Sequence, residues 1–152
     1  MNGSASAIDL DAVRQFTAAI PQLRALGAEI VSLEKGRGCV RLDWRAELVG
    51  NPITGGLHGG VITTLLDTVS GMATFAALDR IMQIATLDLR IDYLKPAASC
   101  EAVFAAAECY KMTRSVAFVR GHAYQDGGGD IAASLATFML GSSPLPGRAN
   151  SA

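Results

Sequence analysis

The feature that most constrains the fold of this chain is a mid-chain segment, from residue 59 to about 78, in which apolar residues recur every three or four positions. This spacing predicts one long helix. The recurring residues are Ile62, Leu65, Leu66, Val69, Met72, Ala73 and Ala76. Because such a helix is apolar on most of its surface, other elements must wrap around it to keep that surface away from water.

Segments typical of β-strands lie on both sides of the predicted helix. Before it, residues 28–33 and 39–44 flank a glycine-containing turn, which predicts a hairpin. After it, apolar and polar residues alternate from Thr86 to Tyr93, which predicts a half-buried strand that ends before Pro96. Further strands are predicted at 100–110, 114–124 and 130–141.

The order of these elements predicts an α+β fold of the hotdog type. A short N-terminal helix at 9–20, limited by Pro21, precedes two strands, the long helix and four strands, with no βαβ alternation. Consecutive strands joined by turns form an antiparallel sheet, which wraps around the one central helix. We therefore expect an N-terminal segment over 1–24, one domain over 25–142 and a flexible tail over 143–152.

Composition excludes several classes of function. With 13 Lys and Arg against 14 Asp and Glu, a net charge of −1 gives no reason to expect nucleic acid or an anionic membrane as a partner. The first twenty residues lack the basic start and unbroken apolar run of a secretory signal, and no segment is expected to span a membrane. Three cysteines without a CxxC pair predict buried, reduced thiols in a cytoplasmic protein rather than a disulfide framework.

A glycine-rich segment at the start of the long helix, ending in His58-Gly59-Gly60, is the first candidate for chemistry. The first N–H groups of a helix have no partner within it, and Gly59 and Gly60 carry no side chains that would keep a ligand oxygen away. A carbonyl oxygen could dock there and be stabilised as it becomes an oxyanion during acyl transfer. The alternative is a helix entry in which the glycines serve the turn alone.

A narrow polar stripe runs along the same predicted helix. It consists of Gly60, Thr63, Asp67, Ser70 and Thr74, which recur at spacings of three and four residues. Asp67 is its only charge, and no Lys or Glu accompanies it. This composition favours contact with a partner or a substrate over contact with bulk water, which is the alternative for an amphipathic helix.

The spacing between Gly59 and Asp67 indicates how the two residues could share one reaction. Asp67 lies eight residues after Gly59, which places them about 12 Å apart along a helix, whereas an attacking group must come within about 3.5 Å of a carbonyl carbon. One helix therefore cannot supply both groups to one substrate. If they act together, Asp67 comes from a second subunit, with the two helices antiparallel across a two-fold axis.

The ordered combination of Asn51, the His58-Gly59-Gly60 motif, Asp67 and a later Asp-containing strand resembles the signature of the hotdog thioesterases, in their phenylacetate-pathway (PaaI-like) branch. The resemblance covers about residues 45–141. It implies hydrolysis of acyl-CoA thioesters at a site between subunits. It also implies that the Gly59 N–H binds the thioester carbonyl, that Asn51 and His58 orient the substrate or water, and that Asp67 is the general base or the nucleophile.

The same resemblance assigns supporting roles to other residues. Thr86 matches a position where the family often has Ser or Thr. Arg114 matches a position where relatives often carry a cation, which could bind the CoA phosphates. The alternative is that Arg114 is a solvated cation of a turn. Gly60, Ser70, Met72 and Phe75 are candidate substrate contacts because they lie on the helix beside which the acyl group would enter, with core packing as the alternative for Met72 and Phe75. We expect a homodimer, itself half of a dimer of dimers, that needs no cofactor or metal.

Other enzyme classes fit the sequence less well. No GxSxG motif occurs and the only histidines are His58 and His122, which disfavours a Ser-His-Asp hydrolase and a metal site. A hotdog acyl-CoA hydratase or dehydratase is an alternative, although Met72 occupies the position where hydratase relatives typically carry His. A non-catalytic acyl-CoA sensor, which would use the same pocket without turnover, is the other alternative.

Overall fold

The computed structural model, which describes residues 9–80 and 82–144, contains three α-helices and two β-sheets within those ranges. The helices are α1 (Leu10–Ala18), α2 (Pro21–Leu26) and α3 (Gly59–Ala77). The strands are β1 (Glu29–Glu34), β2 (Arg37–Leu42), β3 (Val49–Asn51), β4 (Gly56–Leu57), β5 (Met82–Tyr93), β6 (Val103–Met112), β7 (Val116–Gln125) and β8 (Gly129–Pro144). A 3-10 turn, Ala46–Leu48, precedes β3.

The predicted central helix is confirmed as α3, which packs against one face of the main sheet. Its apolar residues are buried, and Leu65, Leu66 and Val69 are completely enclosed. α3 is long and apolar enough to cross a membrane, which was not expected of any segment from the sequence. Its place in the core accounts for this composition, because a helix surrounded by other elements is apolar on most of its sides.

The main sheet is antiparallel throughout and has the strand order β1-β2-β6-β7-β8-β5. Fully buried small residues on its inner face, Ala105, Ala117, Ala123 and Ala132, let α3 approach the sheet closely. The Ala-rich segment 100–110 contains the strand β6, as predicted, because tertiary pairing overrides its helical propensity. The hotdog architecture expected from the sequence is thereby confirmed.

One long edge of this sheet has no neighbouring strand within the described residues. The edge strand is β5, which spans 12 residues and pairs only with β8. Its other side therefore presents unpaired backbone N–H and C=O groups along the whole strand. This open edge runs beside α3, since Thr86 and Tyr93 of β5 contact the helix.

The alternation predicted for β5 is interrupted in its middle. The pairing register with β8 shifts between Thr86 and Asp88, so Leu87 is an extra residue of the bulge type. Leu87 is 56% exposed, whereas Tyr93, although 54% exposed, keeps its hydroxyl on α3. The bulge lets Thr86 lie against α3 while the residues after it resume the alternation from Leu89 onward.

The N-terminal region contains two helices where the sequence pattern predicts one. Asp9 caps α1 by accepting hydrogen bonds from the amides of Asp11 and Ala12. Pro21 follows this helix and starts α2, because its fixed φ and missing N–H suit the first position of a helix. α1 covers α3, with the Phe16 ring edge-on to that of Phe75 at a centroid distance of 5.3 Å.

Further differences from the predictions are local. The glycine-rich segment that precedes α3 contains the β3-β4 hairpin. β8 continues to Pro144, and the remainder of the predicted tail, 145–152, lies outside the described residues. Cys39 and Cys109 are buried and half-buried, which raises the pKa of both thiols, whereas Cys100 is exposed, contrary to the expectation for the three cysteines.

We expect the burial of α3 side chains to dominate the stability of the fold. Ile62 is 3% exposed, and Ile62→Ala should lower the free energy of unfolding by about 2–5 kcal/mol, because the lost contacts leave a cavity. The matched control is Ile53→Ala, at a side chain that is 94% exposed. This substitution should change the free energy of unfolding by less than about 0.5 kcal/mol. Urea denaturation measures both, and equal effects would contradict the place of α3 in the core.

Candidate active site

The N-terminus of α3 is shaped by His58, which has an extended backbone and acts as the N-cap. Its Nδ1 accepts a hydrogen bond from the Gly60 N–H at 2.9 Å, and its carbonyl accepts one from the Val61 N–H at 2.9 Å. A neutral ring that accepts at Nδ1 carries its proton on Nε2, so His58 has a donor there. The Gly59 N–H has no acceptor in the described part of the chain, which leaves a helix-terminal donor available to a ligand.

The loop that contains Asn51 is held against His58. Asn51 Oδ1 accepts from the amides of Ile53 and Thr54, at 3.0 and 3.3 Å, and so closes the turn between β3 and β4. Gly50 packs directly on His58, because a Cβ there would lie 2.6 Å from the His58 Cα. Asn51 and His58 therefore belong to one loop assembly, in which each has a structural task besides the role that the resemblance implies.

Asp67 and Thr86 meet near the middle of α3. Thr86 Oγ1 donates to Asp67 Oδ1 at 3.1 Å, so two residues predicted to act together are brought into contact. Asp67 is partly buried and forms no ion pair within residues 9–80 and 82–144. Since no cation holds this carboxylate, its oxygens are available to accept a proton or to attack an electrophile.

Gly59 and Asp67 are not brought together within one protomer. The helical rise separates them by about 12 Å along α3, as their spacing in the sequence predicts. Both lie on the side of α3 that is next to β5, with Gly59 beside Tyr93 and Asp67 beside Thr86. The amide and the carboxylate therefore border the same open edge of the sheet at two separate points.

Three other helix residues lie inside the protomer. Ser70 is fully buried, and its Oγ has no hydrogen-bond partner in the described residues. Met72 is 1% exposed and packs on Gly38 of β2, and Phe75 packs on Phe16 of α1. Core packing, the alternative for Met72 and Phe75, describes both side chains in the protomer, and the roles of Ser70, Met72 and Phe75 as substrate contacts stay predictions.

Arg114 lies in the turn between β6 and β7, at the C-terminal end of α3. Together with Arg80 and Asp79 it borders a cavity of about 430 Å³ whose other walls are mainly apolar. This cavity reaches Ala77, which is about 15 Å along the helix axis from Asp67. Arg114 is therefore remote from the Gly59 donor of its own protomer, which lies at the opposite end of α3.

A second cavity, of about 420 Å³, opens beside Gly59. The residues that line it are Leu57, Gly59, Ile62, Tyr93, Leu94, Lys95, Pro96, Ala97 and Ile131. Lys95 is the one cation among them, and its Nζ donates to the Gly128 carbonyl. A mainly apolar space beside the residue that carries the unpaired amide can hold an apolar chain.

Tyr93 is a residue of this region that the sequence pattern does not single out. Its hydroxyl donates to the Gly59 carbonyl at 2.9 Å and lies 2.7 Å from Thr63 Oγ1. The only signal in the sequence is the alternation after the bulge, which puts Tyr93 on the same face of β5 as Leu89 and Ile91.

A third groove, of about 410 Å³, lies on the face of the sheet turned away from α3. Glu108 accepts hydrogen bonds there from Arg37 at 2.7 Å and Arg120 at 2.8 Å, which lower the pKa of its carboxyl. Glu34 also lines the groove, so two carboxylates face two guanidinium groups, and the groove shares no residue with the site on α3.

A family model described as the thioesterase superfamily matches residues 54–132, just over half of the chain. The chain belongs to the thioesterase superfamily. The matched segment contains the α3 N-terminus, Asp67, Thr86 and Arg114. Most of the residues singled out by the resemblance therefore lie inside the part of this thioesterase that defines its family.

Relatives and solved structures agree with this membership. The medium/long-chain acyl-CoA thioesterase YigI of Escherichia coli K12 is 30% identical over 139 residues, which cover 83% of this chain and 89% of that protein. A crystal structure from Pseudomonas aeruginosa is 40% identical, with a TM-score of 0.76 over 86% of this thioesterase and 97% of that chain. The Escherichia coli PaaI protein of the phenylacetic acid degradation operon is 17% identical and shares the fold, with a TM-score of 0.78 over 91% of this chain and 100% of that one. The predicted hotdog thioesterase is confirmed, and a PaaI protein is among the structures that share its fold.

We expect Thr86→Val to lower the kcat of this thioesterase by about 10-fold, because a change of similar shape removes the hydroxyl that positions Asp67. Thr86→Ser keeps the hydroxyl and should retain most of the activity. Steady-state rates of thiol release compare the two variants. A valine variant as fast as the wild type would show that this hydrogen bond has no part in turnover.

Proposed function

We propose that this thioesterase hydrolyses acyl-CoA thioesters at a site shared by two protomers, with the Asp67 carboxylate from one and the Gly59 N–H from the other. The observation that carries the proposal is the arrangement along α3. An amide without an acceptor and a carboxylate without a cation, in the described residues, lie about 12 Å apart on the side next to the open β5 edge. A second, antiparallel α3 would set each group opposite its complement.

The open edge of β5 supports this pairing of protomers. Unpaired backbone groups along a strand are a template for another strand, and two β5 strands related by a two-fold axis would extend the sheet as an antiparallel pair. The adjoining side of α3 carries small, partly exposed residues that allow a second helix to approach, namely Gly60, Thr63, Thr64, Thr68 and Gly71. A tetramer of two such dimers and a cytoplasmic location stay predictions from the sequence.

In the proposed reaction, the Gly59 N–H donates to the thioester carbonyl oxygen and stabilises the oxyanion as it forms. The Asp67 carboxylate of the other protomer removes a proton from a water that attacks the carbonyl carbon, or attacks that carbon itself to give an acyl-enzyme that water then hydrolyses. Collapse of the tetrahedral intermediate breaks the C–S bond and releases the CoA thiolate, which takes up a proton. Because a thiol is already fairly acidic, it leaves without a strong acid beside it.

The two ends of the substrate have separate candidate places. CoA carries its phosphates on a long arm away from the thioester, and Arg80 and Arg114 offer cations about 15 Å along α3 from Asp67. The mainly apolar cavity beside Gly59 suits an aliphatic acyl chain. The activity named for YigI supports medium or long chains as the acyl class of this enzyme.

Asp67→Asn should slow the release of free thiol from a medium-chain acyl-CoA by at least about 100-fold, because an amide can neither take the proton nor attack. The control is Asp43→Asn, at an exposed carboxylate paired with Arg41, which should leave turnover unchanged. Comparison of straight-chain with aryl acyl-CoAs gives the acyl preference. An Asp67→Asn variant that turns over as fast as the wild type would refute the role of Asp67. A wild-type protein that binds acyl-CoA but releases no thiol would be a sensor instead of an enzyme.

Proline at position 59 tests the oxyanion donor. Gly59→Pro removes the N–H but keeps a residue suited to the first position of a helix, and the extended backbone of His58 tolerates a following proline. We expect kcat to fall by about 100-fold or more. Gly59→Ala is the control, since it adds a Cβ at the same place beside Tyr93 and retains the N–H; it should be far more active.

Mixing Asp67→Ala with Gly59→Pro protomers then tests whether the site is shared. A mixed dimer contains one intact site, so statistical exchange should restore about a quarter of the wild-type rate. Native mass spectrometry establishes that exchange has taken place. A mixture that exchanges and stays inactive would exclude a site divided in this way.

A further inference from the structure

Two side-chain hydroxyls converge on the carbonyl of Gly59, the first residue of α3. The Tyr93 hydroxyl donates to this oxygen at 2.9 Å, and Thr63 Oγ1 lies 3.1 Å from the same oxygen. The two hydroxyls are themselves 2.7 Å apart. Thr63 belongs to the helix, whereas Tyr93 comes from the end of β5, so Tyr93 ties the start of the helix to the sheet.

The protons of this cluster allow three arrangements. Each hydroxyl has one proton, so both can donate to the Gly59 carbonyl, which has two lone pairs, or one hydroxyl donates to the other, which then donates to the carbonyl. In each arrangement the hydrogen bonds end on the same oxygen. Only Tyr93 links that oxygen to an element outside α3.

The start of α3 needs an external constraint because it consists of two glycines. Glycine loses more backbone entropy than any other residue on entering a helix, and helix termini fray. His58 constrains one side of this turn through its bond to the Gly60 N–H. On the other side the Tyr93 ring covers Gly59, since a Cβ there would lie 3.4 Å from its Cζ and hydroxyl oxygen.

The constraint falls on the residue whose N–H is proposed to bind the oxyanion. Stabilisation of an oxyanion depends on a donor that is already oriented before charge develops. A first turn that frays would point the Gly59 N–H in many directions, and the donor would have to be ordered again in each turnover. Holding the Gly59 carbonyl fixes the backbone on one side of that N–H.

We propose that Tyr93 is a positioning residue, whose hydroxyl, together with that of Thr63, holds Gly59 so that its N–H points at the thioester carbonyl. This inference rests on the proposed function, in which the Gly59 N–H is the oxyanion donor. Tyr93 acts through the backbone of Gly59. The hydroxyl therefore contributes to the chemical step rather than to substrate binding.

The test is Tyr93→Phe, which keeps the ring over Gly59 and removes the hydroxyl. We expect kcat to fall about 10-fold with KM changed by less than about twofold, since donor orientation matters most in the transition state. Thr63→Val should have a smaller effect, because the Tyr93 bond to the carbonyl can persist. Thr63→Ser, which retains a hydroxyl, should restore the wild-type kcat.

A second comparison separates positioning from a purely structural role. In a Gly59→Pro background there is no N–H to orient, so adding Tyr93→Phe should change kcat by less than about twofold. Equal losses in both backgrounds, or a rise in KM with kcat unchanged, would overturn the inference. Wild-type kcat in Tyr93→Phe would also overturn it, even with a lower Tm.

The same variants also test the proposed function separately from the role of Tyr93. If Gly59→Pro alone retains wild-type kcat, the Gly59 N–H is not the donor and the proposed function fails. If Gly59→Pro is inactive while Tyr93→Phe is fully active, the oxyanion donor stands and only the role of Tyr93 is refuted. Should Tyr93→Phe fail to fold, Thr63→Val in the two backgrounds provides the same comparison.

Discussion

The packing of α3 against the sheet is the constraint on which the other features of this thioesterase depend. An apolar helix lies close to a sheet whose inner positions are often alanine, and the small side chains set the short distance between the two layers. Most of the helix is then covered by its own chain. The side next to β5 is the exception, because β5 ends the sheet there and no further strand in the described residues covers it. The chemistry proposed for α3 lies on that side.

Much of the fold could be predicted because helical and strand periodicities differ and neither depends on distant contacts. The central helix and β5 follow from spacing, whereas the other strands also rest on β-forming residues and on the glycine-containing turns between them. α2 could not be predicted in this way, since Pro21 is equally suited to end one helix and to begin another. The bulge at Leu87 could not be predicted either, because the sequence around it alternates regularly and the register shift arises from pairing with β8.

The same difference between local patterns and distant contacts decides which residues of the candidate site could be predicted. Gly59 and Asp67 are recognisable because their motif and their separation are local properties of one helix, and the contact between Asp67 and Thr86 agrees with the resemblance. Tyr93 bonds to a residue 34 positions away, a relation that no local pattern encodes. Periodicity shows that Met72 and Phe75 are apolar helix positions. Which neighbour covers each of them depends on where β2 and α1 lie, and only the three-dimensional structure supplies that.

The unpaired amide at the start of α3 has an evolutionary consequence. Every amino acid except proline supplies a main-chain N–H, so point substitutions at position 59 rarely delete this donor, whereas most changes at position 67 delete the carboxylate. The surrounding pocket can therefore diverge in shape and acyl preference while the proposed oxyanion donor is inherited with the backbone itself. Comparison of side-chain identities alone would underestimate how much chemistry distant members of such a family retain in common.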